Sequence, residues 1–307
     1  MIDHDRLFKE LLSTFFIEFL ELFSPDMLTY LERDSLVFLD KEVFTDVTAG
    51  DRYEADIVVK AQVAGAETFF LVHLEHQAQV QVEFGQRMFR YFARLHEQYA
   101  LPIYPIALFS YATPLRPEPD EYRVVFPDKT VLEFRYTTIQ LNRLNWRDFV
   151  QQPNPIASAL MAKMRIAPED RPRVKLECLR LLATLRLDRA RMHLISGFVD
   201  TYLRLTALEQ QDFQQALQTI IPPEQENVME IVTSWMEQGI ERGIEQGILR
   251  EARDSVLLVL KVRFGILPMF LEESINALAD KSMLTSLLEQ AVLADSLITF
   301  QHGQAQH

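Results

Sequence analysis

Two acidic residues, Asp56 and Glu75, lie in neighbouring segments that both have the apolar pattern of β-strands. The segments 53–63 and 67–77 are separated by small residues around Gly65, which predicts a β-hairpin. Folding this hairpin about its midpoint places Asp56 directly opposite Glu75. Side chains in directly opposed positions lie about 4.5 to 5.5 Å apart, where like charges destabilise a sheet. Because Mg²⁺ prefers oxygen ligands, a divalent cation between the two carboxylates would make the pair favourable, and the spacing predicts a metal site.

The residues beside Glu75 extend the predicted site. Side chains alternate along a strand, so Gln77 and His73 share the face of Glu75 and His76 points to the other face. The backbone carbonyl of His76 lies between Glu75 and Gln77 and is a candidate third oxygen ligand of the metal. The prediction depends on register, because a slip of one residue would pair Asp56 with His76 and place it on the face opposite to Glu75.

Simpler interpretations of these residues stay open. Asp56 and Glu75 can be ordinary strand positions that face solvent, although the apolar neighbours at 57–59 and 69–74 favour strands with little exposure. His73 can be a packed strand histidine that binds no metal. The spacing alone does not decide between these alternatives.

The segments around the hairpin predict a core of mixed α and β structure. Pro105 lies inside one strand candidate, which suggests an edge position or a later start for that strand. The predicted elements are an amphipathic helix over 6–23, a short strand over 42–47, a turn at 49–51, a helix over 82–99, a strand over 103–111 and a second hairpin over 122–141 around Pro127, Asp128 and Lys129.

The second half of the chain has a helical pattern. The helical pattern begins beyond Pro155. Pro222 and Pro223 mark a boundary, and a long helix is predicted to start near Glu226. Two shorter amphipathic helices are predicted over 269–278 and 283–297.

A glycine repeat lies inside the predicted long helix. Gly239, Gly243 and Gly247 recur every four residues, each followed by isoleucine. Residues four apart drift by about 40° around a helix, so the glycines form a slanting stripe that a second helix can approach closely. The stripe predicts self-association, and a glycine-weakened connector is the alternative.

Composition and charge limit the function classes. The net charge of −13 argues against a broad surface for nucleic acid, so any DNA contact requires a local groove. The apolar runs are far shorter than the roughly 18 to 20 residues that span a bilayer, and the first residues lack the pattern of a secretion signal. We therefore expect a cytoplasmic protein without a membrane segment. The single Cys178 excludes an internal disulfide, and no phosphate-loop motif supports a nucleotide cofactor.

Four segments, taken in order, resemble the Rpn family of recombination-promoting nucleases. This family belongs to the PD-(D/E)xK nuclease superfamily, and its members are also described as transposases. The resemblance covers roughly residues 1–145, and the region 239–300 is similar to a helical domain of unknown function that is often appended to such proteins. The segments are His4-Asp5-Arg6-Leu7-Phe8-Lys9, Tyr53-Glu54-Ala55-Asp56-Ile57-Val58, Leu74-Glu75-His76-Gln77 and Arg87-Met88-Phe89-Arg90-Tyr91.

The resemblance implies a restriction-endonuclease-like α/β fold, with a mixed central sheet flanked by helices, and an Mg²⁺-dependent or Mn²⁺-dependent DNA endonuclease. Such an enzyme hydrolyses phosphodiester bonds with metal-activated water. Carried over by position, Asp56 and Glu75 bind the metal, and Gln77 stands where the wider superfamily has a lysine. A neutral amide can position water but supplies no positive charge to the transition state. Arg87 is the first candidate source of that charge and Arg90 is the second.

The predicted organisation is a nuclease-like core over 1–150, a helical extension over 151–223 and an oligomerisation module over 224–300. Asp5 and Lys9 form either a simple i, i+4 ion pair or an accessory part of the active site. The first functional hypothesis is a homo-oligomeric DNA endonuclease. The second is a catalytically weak or inert oligomeric interaction protein that keeps the nuclease fold. The opposed carboxylates favour the first, whereas Gln77 and the acidic charge favour the second.

Overall fold

The computed structural model describes residues 4–39, 43–45, 52–54, 56–81, 83–297 and 299–300, and side chains are described for all of these except 43–45, 52–54, 222–224 and 234–246. The predicted turn at 49–51 lies outside the described residues. By its internal contacts the chain divides into two compact units, Met1–Ile231 and Val232–His307.

The first unit contains a five-stranded mixed sheet and two separate two-stranded ribbons. The sheet has the strand order β1-β4-β5-β6-β9, and the ribbons pair β2 with β3 and β7 with β8. Within the sheet, β1, β4 and β5 are antiparallel neighbours, whereas β6 runs parallel to both β5 and β9. The strands are β1 Val37–Phe38, β2 Val43–Thr45, β3 Arg52–Glu54, β4 Ile57–Gln62, β5 Phe69–Gln77, β6 Ile103–Phe109, β7 Glu121–Phe126, β8 Lys129–Arg135 and β9 Thr137–Gln140.

The predicted strand over 53–63 is divided at Asp56 into β3 and β4, which belong to different sheets. In a continuing ladder the His76 N–H would bond to a backbone carbonyl of the neighbouring strand. Here the Asp56 side chain accepts that bond, with 2.7 Å between His76 N and Asp56 Oδ2. The carboxylate therefore takes the place of a backbone acceptor at the point where the strand bends away.

Pro105 lies in an interior strand, so the expectation of an edge position or a later start was wrong. The Ser110 N–H donates to the Gln77 carbonyl, and peptide directions alternate along a strand, so the Pro105 nitrogen faces the β9 side. β9 pairs with β6 only from Ile106 onward. Proline lacks the backbone N–H, and at position 105 no residue of β9 is paired that would need this donor.

Helices cover both faces of the sheet, as expected for the fold class. One face contributes residues such as Val59, Val72 and Leu108 to the main hydrophobic core. The other face, with Val58 and Leu71 among its residues, packs against the helix over 84–99 and its surroundings. The helices before residue 150 are α1 His4–Thr14, α2 Phe16–Phe23 and α3 Phe84–Tyr99. The predicted helix over 6–23 is thus interrupted at Phe15.

The second half of the chain is helical, which confirms the predicted fold class. Residues of α4, α5 and α6 join the same core as the sheet, for example Leu160, Cys178 and Phe198. Cys178 is buried. These later helices of the first unit are α4 Pro155–Leu160, α5 Arg171–Thr184, α6 Arg189–Tyr202 and α7 Ala207–Gln218.

The long predicted helix is present as α8, Pro222–Phe264, and it runs from the first unit into the second. It ends before Gly265, whose φ of 82° is the left-handed conformation that glycine supplies at a helix C-terminus. In the second unit, α9 Met269–Ala277 and α10 Lys281–Leu293 pack with the end of α8 around Leu260, Leu271 and Leu287. Throughout the part of the chain that the structure describes, no helix is long and apolar enough to cross a membrane.

Candidate active site

The hairpin has the predicted register. Ile57 pairs with Leu74 and Val58 with His73, so the next opposed positions are Asp56 and Glu75. The Asp56 N–H donates to Glu75 Oε2 at 3.4 Å, which brings the two acidic residues together where β4 begins and β5 approaches its end. A slip of one residue is therefore excluded.

Both carboxylates are shielded from solvent. The side chain of Asp56 is 11% exposed and that of Glu75 is 4% exposed. The interpretation of these residues as ordinary solvent-facing strand positions is consequently wrong. Burial and the Glu75 charge raise the pKa of Asp56 to about 7, because both disfavour the ionised carboxylate.

Lys9 connects the first helix to this carboxylate pair. Its Nζ lies 2.9 Å from Asp56 Oδ1 and 3.1 Å from Asp5 Oδ2. Burial alone would lower the pKa of Lys9, but the carboxylates of Asp56 and Asp5 raise it above its usual value. Lys9 is therefore a charged bridge between the helix and Asp56, and the Asp5–Lys9 pair is more than a surface contact.

His76 holds Asp56 from the other side. Its backbone N–H bonds to Asp56, its Nε2 lies 2.8 Å from Ser110 Oγ, and its ring stacks on Phe8 with 3.8 Å between centroids. Burial lowers the pKa of His76, which favours the neutral ring. These contacts place α1 against the end of β5 and hold His76, the residue whose carbonyl was predicted as a metal ligand.

The pKa of Asp5 is lowered to about 2 by His76 and by Lys9, against the opposing effect of burial. The His76 Nδ1 to Asp5 Oδ1 distance is 3.8 Å, longer than a hydrogen bond. Lys9 is closer and carries a formal charge, so we assign most of the stabilisation of the Asp5 carboxylate to the ammonium group.

Arg87 is the basic partner of Glu75, as Lys9 is the basic partner of Asp56. Its Nη2 lies 3.2 Å from Glu75 Oε1 and also donates to Gln77 Oε1, while the Gln77 amide nitrogen donates to the Gln79 carbonyl at 2.7 Å. Gln77 therefore orients the guanidinium group. His73 is fully buried on the same side, with Nε2 3.3 Å from Glu75 Oε2.

Six of the seven predicted residues are thus joined by direct contacts, one of which uses the Asp56 backbone N–H, and Arg90 is the exception. Arg90 is exposed on α3, and within the described residues it has no ion pair or hydrogen bond to the site. The six that meet are Asp5, Lys9, Asp56, Glu75, Gln77 and Arg87.

The donor set suits a hard divalent cation. The Asp56 and Glu75 carboxylates with the His76 carbonyl supply oxygen atoms, the ligand type that Mg²⁺ and Mn²⁺ prefer. Burial and the Glu75 charge raise the pKa of Asp56 despite the Lys9 contact, so the ammonium group only partly offsets the cost of the ionised Asp56 carboxylate. Among the described residues there is no cluster of three or more His, Cys, Asp or Glu side chains arranged to hold a metal, so a cation here would depend on the carboxylate pair, the carbonyl and water.

The sequence did not indicate the contribution of the helices after residue 150. Tyr202 of α6 contacts His4, with 3.0 Å between Tyr202 Oη and His4 Nδ1, and packs edge-on against Phe8. Lys163 lies over the Tyr202 ring at 4.6 Å from its centroid. No local pattern could reveal the contacts of Tyr202 with α1, since about 200 residues separate these partners along the chain.

Comparisons with models of known protein families, with curated proteins and with solved structures found no match to this chain.

Proposed function

We propose that the chain is a metal-dependent DNA endonuclease of the recombination-promoting type with a PD-(D/E)xK site. The observation that carries the proposal is the pair formed by Asp56, which is little exposed directly before β4, and Glu75, which is buried on the adjacent antiparallel strand β5. Two acidic groups held together in a site of low exposure are costly without a cation. A structural role alone would be served at lower cost by a neutral pair.

In this proposal Asp56, Glu75 and the His76 carbonyl hold Mg²⁺ or Mn²⁺. When bound, such an ion supplies Lewis acidity toward the phosphoryl oxygen and makes a water nucleophilic near neutral pH. Lys9 favours the ionised form of Asp56 and orients its carboxylate through the 2.9 Å contact. The His76 N–H fixes the second Asp56 oxygen.

Arg87 is proposed to stabilise the negative charge that develops on the phosphate. Its guanidinium group is held by Glu75 and Gln77 before substrate binds, and a positioned cation of this kind is the main source of transition-state stabilisation in phosphoryl chemistry. Gln77 then acts as a positioning residue for Arg87, which gives the amide a role that does not require the charge of a lysine.

A metal-dependence experiment tests this function. Purified protein is incubated with supercoiled plasmid in Mg²⁺, in Mn²⁺ and in excess chelator, and nicked circles are quantified. The proposal predicts nicking with either metal and none with chelator. Absence of nicking under all three conditions would contradict it.

One observation favours a second candidate, an inert interaction protein that retains the nuclease fold. Each buried carboxylate already has a basic partner from the chain, Lys9 for Asp56 and Arg87 for Glu75. A closed ion-pair network of this kind can be structural. Titration calorimetry separates the two candidates, because the endonuclease binds Mn²⁺ in an Asp56-dependent manner and the inert protein does not.

We also propose a cytoplasmic location, DNA as the partner and self-association through the C-terminal helices. Gly247 supports the last point, because a Cβ placed there would meet no described atom within 4 Å, and Ile248 beside it is 39% exposed. The stripe is therefore open at this position for a helix from a second copy. Two sites in one dimer could cut both strands of a duplex.

A further inference from the structure

Lys163, a basic residue of the first unit, is partly buried without an acidic partner among the described residues. It ends a short 3-10 helix after α4 and is partly buried against the Tyr202 ring, 4.6 Å from Nζ to the centroid. Within the described residues no carboxylate pairs with Lys163, whereas the buried Lys175 has Asp200 Oδ1 at 2.7 Å from its Nζ. Burial lowers the pKa of Lys163, and no acidic group among the described residues opposes that effect.

Two further polar groups lie beside this lysine. The Tyr202 hydroxyl is 3.0 Å from His4 Nδ1, and burial with the nearby Asp5 charge raises the pKa of Tyr202 to about 12. The hydroxyl is therefore a neutral donor at physiological pH. His4 is exposed at the start of α1. An ammonium, a phenol and an imidazole thus lie together at an accessible surface.

This cluster is connected to the carboxylate pair through Phe8. The Phe8 ring packs edge-on against Tyr202 at 5.6 Å and stacks on His76, whose backbone N–H holds Asp56. The charge of Lys163 also acts on His76. The Asp5 charge acts on Tyr202, and the Asp5 carboxylate is paired with Lys9.

We propose that Lys163, Tyr202 and His4 form an anion subsite that holds a backbone phosphate of duplex DNA next to the phosphate that is cleaved. A phosphate supplies the counter-charge that Lys163 lacks and accepts a hydrogen bond from the Tyr202 hydroxyl. This proposal rests on the proposed nuclease function, because that function makes duplex DNA the ligand. The subsite also gives this acidic protein a local basic contact, and it explains how the helices after residue 150 take part in the site.

The test measures binding without cleavage. The full chain is titrated into a fluorescein-labelled 20-base-pair duplex in chelator at several salt concentrations, and anisotropy gives Kd. We expect Lys163→Gln to weaken binding roughly 5- to 10-fold and to reduce the slope of log Kd against log salt by about 1, as for loss of one phosphate contact. Lys163→Arg should keep the affinity within about twofold, because the charge remains.

Controls separate a local effect from charge or folding. Lys281→Gln makes the same charge change on the exposed surface of the second unit and should leave Kd unchanged. Tyr202→Phe keeps the ring that packs on Phe8 and removes only the hydroxyl donor, so it should weaken DNA binding about threefold. This variant tests the subsite if Lys163→Gln does not fold.

The outcomes for the subsite and for the nuclease are distinguishable. Unchanged affinity of Lys163→Gln and Tyr202→Phe, or no DNA binding by the unaltered chain, would overturn the subsite. If binding depends on Lys163 but plasmid is never nicked in Mg²⁺ or Mn²⁺, the subsite stands and the endonuclease proposal fails.

Discussion

Lys9 and Asp56 form an ion pair with 2.9 Å between Nζ and Oδ1, and this contact joins the first helix to the start of β4. Because Lys9 also contacts Asp5, one ammonium group compensates two carboxylates. Lys9 contacts one carboxylate oxygen of Asp56 and the His76 N–H donates to the other, so both oxygens have a fixed partner.

Replacement of Lys9 tests its role in the site. Lys9→Met leaves Asp56 and Asp5 without their common partner, so we expect the unfolding free energy of the metal-free protein at pH 8 to fall by about 2 to 3 kcal/mol. Plasmid nicking should slow by about 10- to 100-fold. Lys9→Arg restores the charge and should recover most of the stability and part of the rate. If Lys9→Arg lost as much stability and nicking rate as Lys9→Met, the charge at this position would be irrelevant to both.

The pH dependence of stability tests the raised pKa of Asp56. Its pKa is about 7 in the folded protein and 3.8 in the ordinary reference state, so between these values the folded state binds more protons than the unfolded state. The contribution of Asp56 to stability therefore decreases as pH rises from about 4 to about 7.

Urea unfolding in chelator measures this effect as the difference between the unaltered chain and Asp56→Asn. The asparagine keeps an acceptor for the His76 N–H and does not titrate. We expect the variant to gain on the order of 2 kcal/mol relative to the unaltered chain between pH 4 and pH 8. A difference that is constant with pH, or that changes in the opposite direction, would contradict the assignment.

Gln77→Ala tests the positioning of Arg87. Loss of the amide frees the guanidinium group from one of its two partners, while the carboxylates stay in place. Turnover should fall about tenfold and Mn²⁺ affinity should stay within about twofold. Calorimetry that showed complete loss of Mn²⁺ binding would place Gln77 in the metal site instead.

The sequence predicted the hairpin register and the proximity of Asp56 and Glu75, because both depend on local features. The short turn around Gly65 fixes which residues of β4 and β5 are opposed, and so Asp56 and Glu75 are correctly brought together. The helical spacing of Asp5 and Lys9 placed both on one face of α1. These relationships need no knowledge of distant parts of the chain.

The remaining features depend on long-range contacts that no local pattern encodes. The division between β3 and β4 arises because the Asp56 side chain replaces a backbone acceptor of His76. Pro105 is accommodated in an interior strand because β9, far along the chain, pairs only from Ile106. Tyr202 reaches α1 through the packing of the later helices into the common core.

Truncation tests the predicted self-association. Val228 and Ile231 belong to the packing of the first unit, so the C-terminal unit is best removed from Val232 onward. We expect the full chain to sediment as a dimer or larger, and the truncated chain to be a monomer that nicks plasmid but makes fewer double-strand breaks. A monomeric full chain at tens of micromolar would rule out the role of the glycine stripe.

The rate of plasmid nicking in Mg²⁺ by the unaltered chain and by Asp56→Asn tests the central claim most directly. Glu67→Gln is the matched control, because it makes the same kind of change at an exposed position in the turn of the same hairpin. We predict a loss of at least about 100-fold in Asp56→Asn and none in Glu67→Gln. Metal-dependent nicking that is undiminished in a folded Asp56→Asn variant would contradict the assignment of Asp56 and Glu75 as the catalytic metal site.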